Sequence, residues 1–174
     1  KKARRLLPEA GMAEGFSCTL YFSEGQFGLE DLARIIAANA HQISIKIKTV
    51  KLPFARLFQA VQNGEPDMFL LGWGYTADPG IFLNPLFMLD PFRSEKTMSI
   101  SPGYSRLLAR AAETATVTDR WQLYRAAESL MLEELPLIPL YHLNHLLAHN
   151  KRLIGLRMNP LGFIIFKDAS LGEE

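Results

Sequence analysis

Four side chains are the first candidates to serve as a nucleophile or as metal ligands. Cys18 is the single cysteine, and it shares the predicted apolar face of a half-buried strand with Phe16, Leu20 and Phe22, which recur at every second residue. On the apolar face of such a strand, burial raises the pKa of a thiol and makes it unreactive. We therefore expect Cys18 to belong to the core and not to act as a nucleophile.

The other three side chains are His142, His145 and His149, which are close together near the C terminus. On a helix they would share one face, whereas on a strand His142 would lie on the opposite face from the other two. Pro139 and the apolar run at 137–141 favour an extended chain, and no nearby carboxylate or thiol completes a zinc ligand set. The sequence therefore predicts no metal site.

A further group of residues is suited to ligand recognition. Residues 72–83 read Gly-Trp-Gly-Tyr-Thr-Ala-Asp-Pro-Gly-Ile-Phe-Leu and follow an apolar run at 68–71. The glycines leave backbone groups accessible to an extended ligand, and Trp73 and Tyr75 offer rigid surfaces with polar tips. The glycine spacing fits neither the dinucleotide-binding nor the Walker motif. The alternative is that both rings fill the core beneath a long loop, and the residues alone do not decide between the two.

Catalysis has little support in the same residues. No serine, histidine and aspartate are arranged in a local catalytic pattern, and Asp78 is a lone carboxylate after the apolar run. A small α/β enzyme of hydrolase type would require His142 or His145 to fold beside Asp78. Such an enzyme is one alternative for the function of this chain. Another is a scaffold lobe, a folded unit that recognises protein partners and has lost transport ligands.

The elements that must position these residues alternate between strand and helix. Strand spacing occurs at 16–22 and 43–47, and helix spacing at 29–40 and 54–61, before the apolar run at 68–71. This β-α-β-α-β order with short connections predicts a parallel sheet flanked by helices. Because open α/β sheets bind ligands at the carboxyl ends of their strands, the segment that begins at Gly72 is well placed for a site.

The rest of the chain is less regular. Eight prolines and glycines between residues 72 and 103 predict a long irregular segment. Helix spacing returns at 104–115 and 121–131, and 137–141 is expected to form an edge or short strand because its proline lacks an amide donor. The tail from Leu153 is strand-like in patches, with a turn predicted at 159–162.

Composition excludes several classes of protein. The 174 residues include 19 Lys and Arg against 18 Asp and Glu, so the basic excess of a nucleic-acid-binding protein is missing. No apolar run reaches the ~18 residues that a membrane-spanning helix needs. The basic start of the chain lacks the apolar region of a signal peptide, and there is no initiator Met. We therefore expect the sequence to be a piece of a longer polypeptide.

Several motifs resemble, in the right order, those of the bacterial extracellular solute-binding proteins of ABC importers (family 5), the group for peptides, dipeptides and nickel. They are the A-x-x-L-L-x-E-A-G helix at 3–11, the strand-helix unit at 49–64, D-M-x-x-x-G-W at 67–73, D-P-x-x-F-L at 78–83, the last helix at 119–134, P-x-I-P-L-Y at 136–141 and Asn-Pro-Leu-Gly at 159–162. The resemblance runs through nearly the whole chain, which covers only about the last third of a typical member.

This resemblance implies an α/β fold of the periplasmic-binding-protein-like kind (type II), in which two lobes close over a ligand by a hinge. Residues 1–135 would form the second, C-terminal lobe, with a mainly parallel β-α-β-α-β sheet flanked by helices. Residues 136–174 would be a crossover segment that returns towards the missing first lobe.

The resemblance also implies which residues meet the ligand. Trp73 would form a wall and Gly74 a backbone partner, with Tyr75, Thr76 and Asp78 as further ligand-binding residues. Peptide-binding members usually have an aspartate about three residues after the tryptophan, which pairs with the α-amino group of the ligand, and Thr76 stands there in this sequence. The nearest acid is Asp78, which is either a ligand contact or the structural aspartate of the Asp-Pro step.

The implied function is non-catalytic. The chain is expected to belong to the substrate-binding component of an ABC importer, which captures peptides or a related small solute between two lobes and delivers it to a membrane permease. Its expected partners are the solute, the permease subunits and the first lobe of the same polypeptide, without a cofactor, a metal or nucleic acid. The expected location is the periplasm or the outer face of the cytoplasmic membrane, after export by a signal peptide outside this fragment.

Overall fold

The computed structural model describes residues 1–26, 28–72, 78–88 and 101–172, with the backbone alone at 84–88. The described residues fall into two compact units: 1–72 and 85–88 lie in the first, and 78–84 with 101–172 lie in the second. The expected division into a lobe at 1–135 and a returning segment at 136–174 remains a prediction. None of the helices in the described part is long and apolar enough to cross a membrane.

The first unit alternates helices and strands as its sequence predicts. The strands β1 (Phe16–Ser23), β2 (Ile45–Leu52) and β3 (Met68–Phe69) form a parallel sheet in the order β2-β1-β3. In it Phe16 lies opposite Ile45, and Leu20 lies opposite Met68. The predicted β-α-β-α-β arrangement is therefore confirmed. The elements are α1 (Lys2–Glu9), β1 (Phe16–Ser23), α2 (Leu29–His41), β2 (Ile45–Leu52), α3 (Phe54–Gln62) and β3 (Met68–Phe69).

The sheet of the first unit has an apolar cluster on each face. Successive side chains of β1 alternate between the faces, so Leu20 and Phe22 pack on the α2 side. On the other side, Tyr21 packs with Leu57 and Val61 of α3. Burying a side chain of this size contributes roughly 1.5–3 kcal/mol to the free energy of folding. This burial holds both helices on the sheet.

Two strand boundaries differ from the predicted ones. β3 pairs only residues 68–69 with 20–21 of β1, although the Leu70 amide still donates to the carbonyl oxygen of Tyr21 at 2.8 Å. The strand predicted at 43–47 begins at residue 45, because Ser44 has a left-handed φ of 65° that turns the chain.

The second unit is built around a pair of helices. Helices α5 (Pro102–Glu113) and α6 (Val117–Glu134) pack against each other. Their buried side chains include Tyr104, Leu108, Tyr124 and Ala127. The Ser101 amide, at the start of α5, donates to the carboxylate of Glu134 at the end of α6 at 3.0 Å. The elements that begin in this unit are α4 (Pro79–Met88), α5 (Pro102–Glu113), α6 (Val117–Glu134), β4 (Leu153–Ile154), β5 (Arg157–Met158), β6 (Ile164–Ile165) and β7 (Ser170–Leu171).

Helix α4 corrects the expectation that 72–103 is irregular throughout. Asp78 precedes the helix, and its Oδ1 accepts hydrogen bonds from the amides of Gly80 at 2.7 Å and Ile81 at 3.2 Å. Aspartate is a favoured N-cap, and proline is favoured in the first turn because its missing N–H has no helical partner there. Pro79 and Gly80 therefore begin a helix instead of interrupting one.

The strand expected at 137–141 is wrong. Residues 135–150 contain neither helix nor strand, and no described segment pairs with their backbone as a ladder. Pro136 and Pro139 remove two amide donors from this stretch, which weakens any strand pairing.

The strand-like tail from Leu153 is confirmed as two small antiparallel sheets, β4 with β7 and β5 with β6. The predicted turn at 159–162 joins β5 to β6. In it the Gly162 amide donates to the Asn159 carbonyl at 2.9 Å, and Gly162 has a φ of 83°.

Candidate functional site

The three strands of the first unit end at one edge of the sheet because they are parallel. β1 ends at Ser23, opposite Leu52, which is the last residue of β2, and β3 ends at Phe69. In open α/β sheets, ligands bind outside this carboxyl edge, where loops connect strands to helices. The carboxyl edge, defined as residues 23–26, 28, 52–53 and 70–72, is therefore the candidate site in the first unit.

The described backbone along the carboxyl edge can be approached closely. Gly25 and Gly28 have φ values of 78° and 82°, in the left-handed region that other residues disfavour. A Cβ added at Gly72 would meet no described atom within 4 Å. Ser23 is a polar residue at this edge that is only 3% exposed. The backbone amide and carbonyl groups of such accessible glycines can pair with an extended ligand.

Of the five residues predicted to bind ligand, Trp73, Gly74, Tyr75 and Thr76 lie outside the described residues. Asp78 is described, and its carboxylate caps the first turn of α4 through the two amide hydrogen bonds given above. This geometry supports a structural role for Asp78 as the aspartate of the Asp-Pro step that begins α4. Ligand binding by the five residues remains a prediction.

The charged side chains that line a shallow groove in the first unit all take part in ion pairs. Lys51 Nζ lies 2.6 Å from Glu30 Oε2, and Arg34 lies 2.5 Å from the Asp31 carboxylate. The hydrogen bond from Lys51 lowers the pKa of Glu30, and the same bond raises the pKa of Lys51. Because these charges are paired and exposed, the described lining gives a charged ligand no unbalanced partner. The lining residues are Phe22, Glu30, Arg34, Ala37, Ile47, Thr49 and Lys51.

Cys18 is half-buried, which corrects the expectation that it is enclosed in the core. It lies near the start of β1, where Phe16 on the same face is 41% exposed, so the apolar cover of this face is incomplete there. Burial, and then the negative charge of Asp67, raise the pKa of the Cys18 thiol. The raised pKa agrees with the prediction of an unreactive thiol.

The C-terminal histidines lie in the segment without helix or strand at 135–150. The described residues contain no group of three or more His, Cys, Asp or Glu able to hold a metal ion. The ring of His145 instead lies against the turn at 159–162, where a Cβ on Gly162 would approach ring atoms Cε1 and Nδ1 to 2.7 Å.

The sequence analysis places Asp67 in a family motif but does not pair it with Thr19, to which it is hydrogen-bonded in the structure. The contact joins the middle of β1 to the residue before β3. The two residues are 48 positions apart, and a Thr and an Asp at such a distance carry no local signal. The cap formed by Asp78 could have been found, because aspartate followed by proline is a helix-start pattern.

The fold defines the class of protein. A solved structure of a dipeptide-binding protein from Pseudoalteromonas sp. SM9913, in complex with Met-Leu, matches with a TM-score of 0.76 and 26% identity, over 98% of this chain and 35% of that one. Periplasmic binding proteins are among the other structures with this fold. The expected periplasmic-binding-protein-like fold is therefore confirmed.

The family follows from the sequence comparison. The family described as "Bacterial extracellular solute-binding proteins, family 5 Middle" matches residues 1–92. The chain belongs to the bacterial extracellular solute-binding proteins of family 5, as its motifs predict. This is a family of binding proteins and not of enzymes, so the hydrolase alternative has no support at the family level.

The similarity to curated relatives extends beyond residues 1–92 and covers nearly the whole chain. The chain is 29% identical over 178 residues to Di/tripeptide-binding protein 1 of Pseudomonas aeruginosa. This alignment covers 99% of this chain and 33% of the relative. It is 30% identical over 181 residues to the glutathione-binding protein GsiB of Escherichia coli, and this alignment covers 98% of this chain and 35% of the relative. The chain thus spans about a third of the length of the curated relatives it matches.

Proposed function

We propose that this chain is one lobe of the substrate-binding component of an ABC importer. The receptor captures peptides, or a related small solute, between two lobes and delivers it to a membrane permease from the periplasm or the outer face of the cytoplasmic membrane. The observation that carries this proposal is the family match together with the relatives named for di- and tripeptides and for glutathione.

The carboxyl edge supports a site for an extended ligand. A ligand with its own amide groups can pair with backbone N–H and C=O groups, while its side chains enter permissive pockets. The described part of the edge offers glycine backbone at residues 25, 28 and 72. Trp73, Gly74, Tyr75 and Thr76 follow directly in sequence and are the proposed ligand contacts. Asp78 stays in the proposed set, although its cap on α4 uses part of its capacity to accept hydrogen bonds.

The segment from residue 135 onward supports docking on a first lobe of the same polypeptide. Its apolar side chains are unusually exposed: Ile138 is 68%, Leu143 is 69% and Leu146 is 93% exposed. Large exposed apolar surfaces on soluble proteins commonly mark interaction sites, so these side chains are suited to contact another part of the protein. The returning segment at 136–174 is therefore proposed to contact the first lobe, with 1–135 forming most of the second.

Calorimetric titration of the full-length receptor tests the proposal. The probes are the dipeptide Met-Leu and glutathione, the molecules named with the relatives above, with free methionine as a control for binding of a single amino acid. We expect saturable one-to-one binding of at least one probe. The absence of binding to both, and to an equimolar mixture of di- and tripeptides, would contradict peptide capture. Uptake of a labelled probe by cells with and without the receptor tests delivery.

A further inference from the structure

Strand β2 lies at one side of the sheet, because β1 is its only partner among the described strands. The Glu24 amide donates to the carbonyl oxygen of Leu52 at 2.9 Å, so the backbone of Leu52 is directed towards β1. Successive residues of a strand direct their N–H and C=O groups to alternate sides. Every second residue before Leu52 is therefore directed away from β1. We call this row the open edge of β2, and it consists of Ile45, Ile47, Thr49 and Lys51.

The open edge is long and regular. β2 pairs with β1 in continuous register over its 8 residues, and it contains no proline. The shallow groove described above lies along this edge on the α2 side, because Ile47, Thr49 and Lys51 belong to its lining. Backbone groups in such a row form a template on which the strand of another molecule can pair.

Two lysines flank the open edge on the other side of the sheet. Val50 lies opposite Tyr21, which packs on the α3 side, so Lys48 and Lys46 lie on that side as well. Both side chains are exposed, and the described residues give neither of them an ion pair. Lys51 differs from them, because it is paired with Glu30. β2 has no acidic residue, so the two positive charges beside its edge are not balanced within the strand.

We propose that Lys46 and Lys48 keep the protein monomeric by preventing the open edge of β2 from pairing with the same edge of a second copy. Two identical edges that pair about a two-fold axis run antiparallel, and each residue then meets its counterpart from the other copy. The registers that pair most of β2 are centred on Lys48 or on Thr49. The first places the two Lys48 side chains directly opposite each other, and the second places them on a diagonal.

Like charges in these positions oppose pairing. Side chains directly opposite across two antiparallel strands lie about 4.5–5.5 Å apart at Cβ, and diagonal neighbours are still within reach of long side chains. Charged side chains, lysine above all, are a common protection of edge strands against such pairing. The inference concerns only the sheet of the first unit, so it does not depend on the proposed ligand or on transport.

The experiment measures self-association of the full-length protein by sedimentation velocity over a range of protein concentrations. Lys46→Thr/Lys48→Thr removes both charges and keeps residues that favour strands. We expect its dimer to have a dissociation constant at least about tenfold lower than that of the wild type, because like charges are removed from both paired strands. Lys46→Arg/Lys48→Arg keeps the charge and should stay monomeric. Arg106→Gln/Arg110→Gln removes two exposed charges from α5 and should stay monomeric as well.

A third substitution tests whether the association uses the open edge. The Thr49 N–H is directed away from β1, and proline is tolerated on an edge strand where its missing N–H would face solvent. Thr49→Pro added to Lys46→Thr/Lys48→Thr should therefore restore the monomer. Residue-resolved amide hydrogen exchange gives a second readout. In the wild type, Ile47 and Thr49 should exchange faster than Lys48 and Val50, and in the dimer of Lys46→Thr/Lys48→Thr all four should be slow.

Each result decides the proposal. Slow exchange of Ile47 and Thr49 in the monomeric wild type would show that another part of the protein already covers the edge, which overturns the proposal. A monomeric Lys46→Thr/Lys48→Thr overturns it too. Association of the arginine variant or of the α5 variant to the same extent would show that charge at β2 is not the cause. A dimer that persists with Thr49→Pro, or that leaves Ile47 and Thr49 in fast exchange, forms through another surface and contradicts the proposal.

Discussion

Thr19 and Asp67 are joined by three hydrogen bonds. Asp67 Oδ2 accepts from the Thr19 amide at 2.7 Å and from the Thr19 hydroxyl at 2.8 Å, and the Asp67 amide donates back to the same hydroxyl oxygen at 3.0 Å. Asp67 immediately precedes β3, and Thr19 immediately precedes Leu20, which pairs with Met68. The contact therefore sets the register of β3 on β1, which in turn determines where the chain leaves the sheet at Gly72.

The Asp67 contact makes the stability of the chain depend on pH. The hydrogen bonds from Thr19, first the amide and then the hydroxyl, lower the pKa of Asp67 below its usual value. A carboxyl group whose pKa is lower in the folded state stabilises the fold above its unfolded-state pKa, and the stabilisation is lost as pH falls through the folded-state pKa. We expect Asp67→Asn to reduce the free energy of unfolding at pH 7 by about 1 kcal/mol, a value reduced for the exposure of this group.

Urea unfolding of the 174-residue chain between pH 7 and pH 3 checks this prediction. The difference between the wild type and Asp67→Asn should narrow as the pH falls below ~4, where the unfolded carboxyl protonates. Glu113→Gln, at an exposed position at the end of α5, controls for the loss of a negative charge alone. A difference that stays constant with pH would show that the charge of Asp67 has no part in stability.

Trp73 is predicted to be an anchor for the ligand. We expect Trp73→Ala to weaken binding of Met-Leu or glutathione to the full-length receptor by more than ~1 kcal/mol, because buried aromatic anchors commonly exceed this value. Trp121→Ala provides the control, since Trp121 is half exposed on α6. Isothermal titration calorimetry measures both. An unchanged dissociation constant for Trp73→Ala would remove this residue from the site.

The chain alone is predicted to bind its ligand weakly. Binding sites normally enclose most of the surface of a small ligand, and one lobe supplies only one side of the proposed cleft. We expect the dissociation constant of the 174-residue chain for the same probes to be more than about a hundredfold higher than that of the full-length receptor. Calorimetry at matched protein concentrations compares the two. Equally tight binding by the chain alone would contradict the two-lobe proposal.

The sheet and helices of the first unit could be predicted from the sequence because their signals are local. The alternation at 16–22 and the helical spacing at 29–40 each report burial on one face, and the short connections leave few topologies. The contact between Thr19 and Asp67 could not be predicted, because it depends on the final register of two strands. The same holds for the close approach of Gly80 and Tyr124, where a Cβ on the glycine would lie 2.4 Å from the hydroxyl oxygen, because it exists only when α4 and α6 pack.

The errors also have local physical causes. The prolines and glycines of 72–103 predict an irregular segment, whereas Pro79 lies in the first turn of α4, where proline is favourable. At 137–141 the apolar pattern of a strand was present, but a strand also needs a partner, and none of the described segments supplies one. An apolar pattern predicts which side chains of a segment can be buried. Strand pairing depends in addition on whether another strand lies beside that segment.

Thr76 gives the sharpest prediction about the ligand. Family members that bind peptides usually have a carboxylate at this position, which pairs with the α-amino group, and threonine cannot supply that charge. We expect Thr76→Asp in the full-length receptor to increase the affinity for Met-Leu by about tenfold, the scale of one charge-assisted hydrogen bond. The affinity for N-acetyl-Met-Leu, which has no charged amino group, should not rise. Thr118→Asp adds the same charge on the exposed surface of α6 and should change neither affinity. If both peptides gain equally from Thr76→Asp, position 76 does not face the amino end of the ligand.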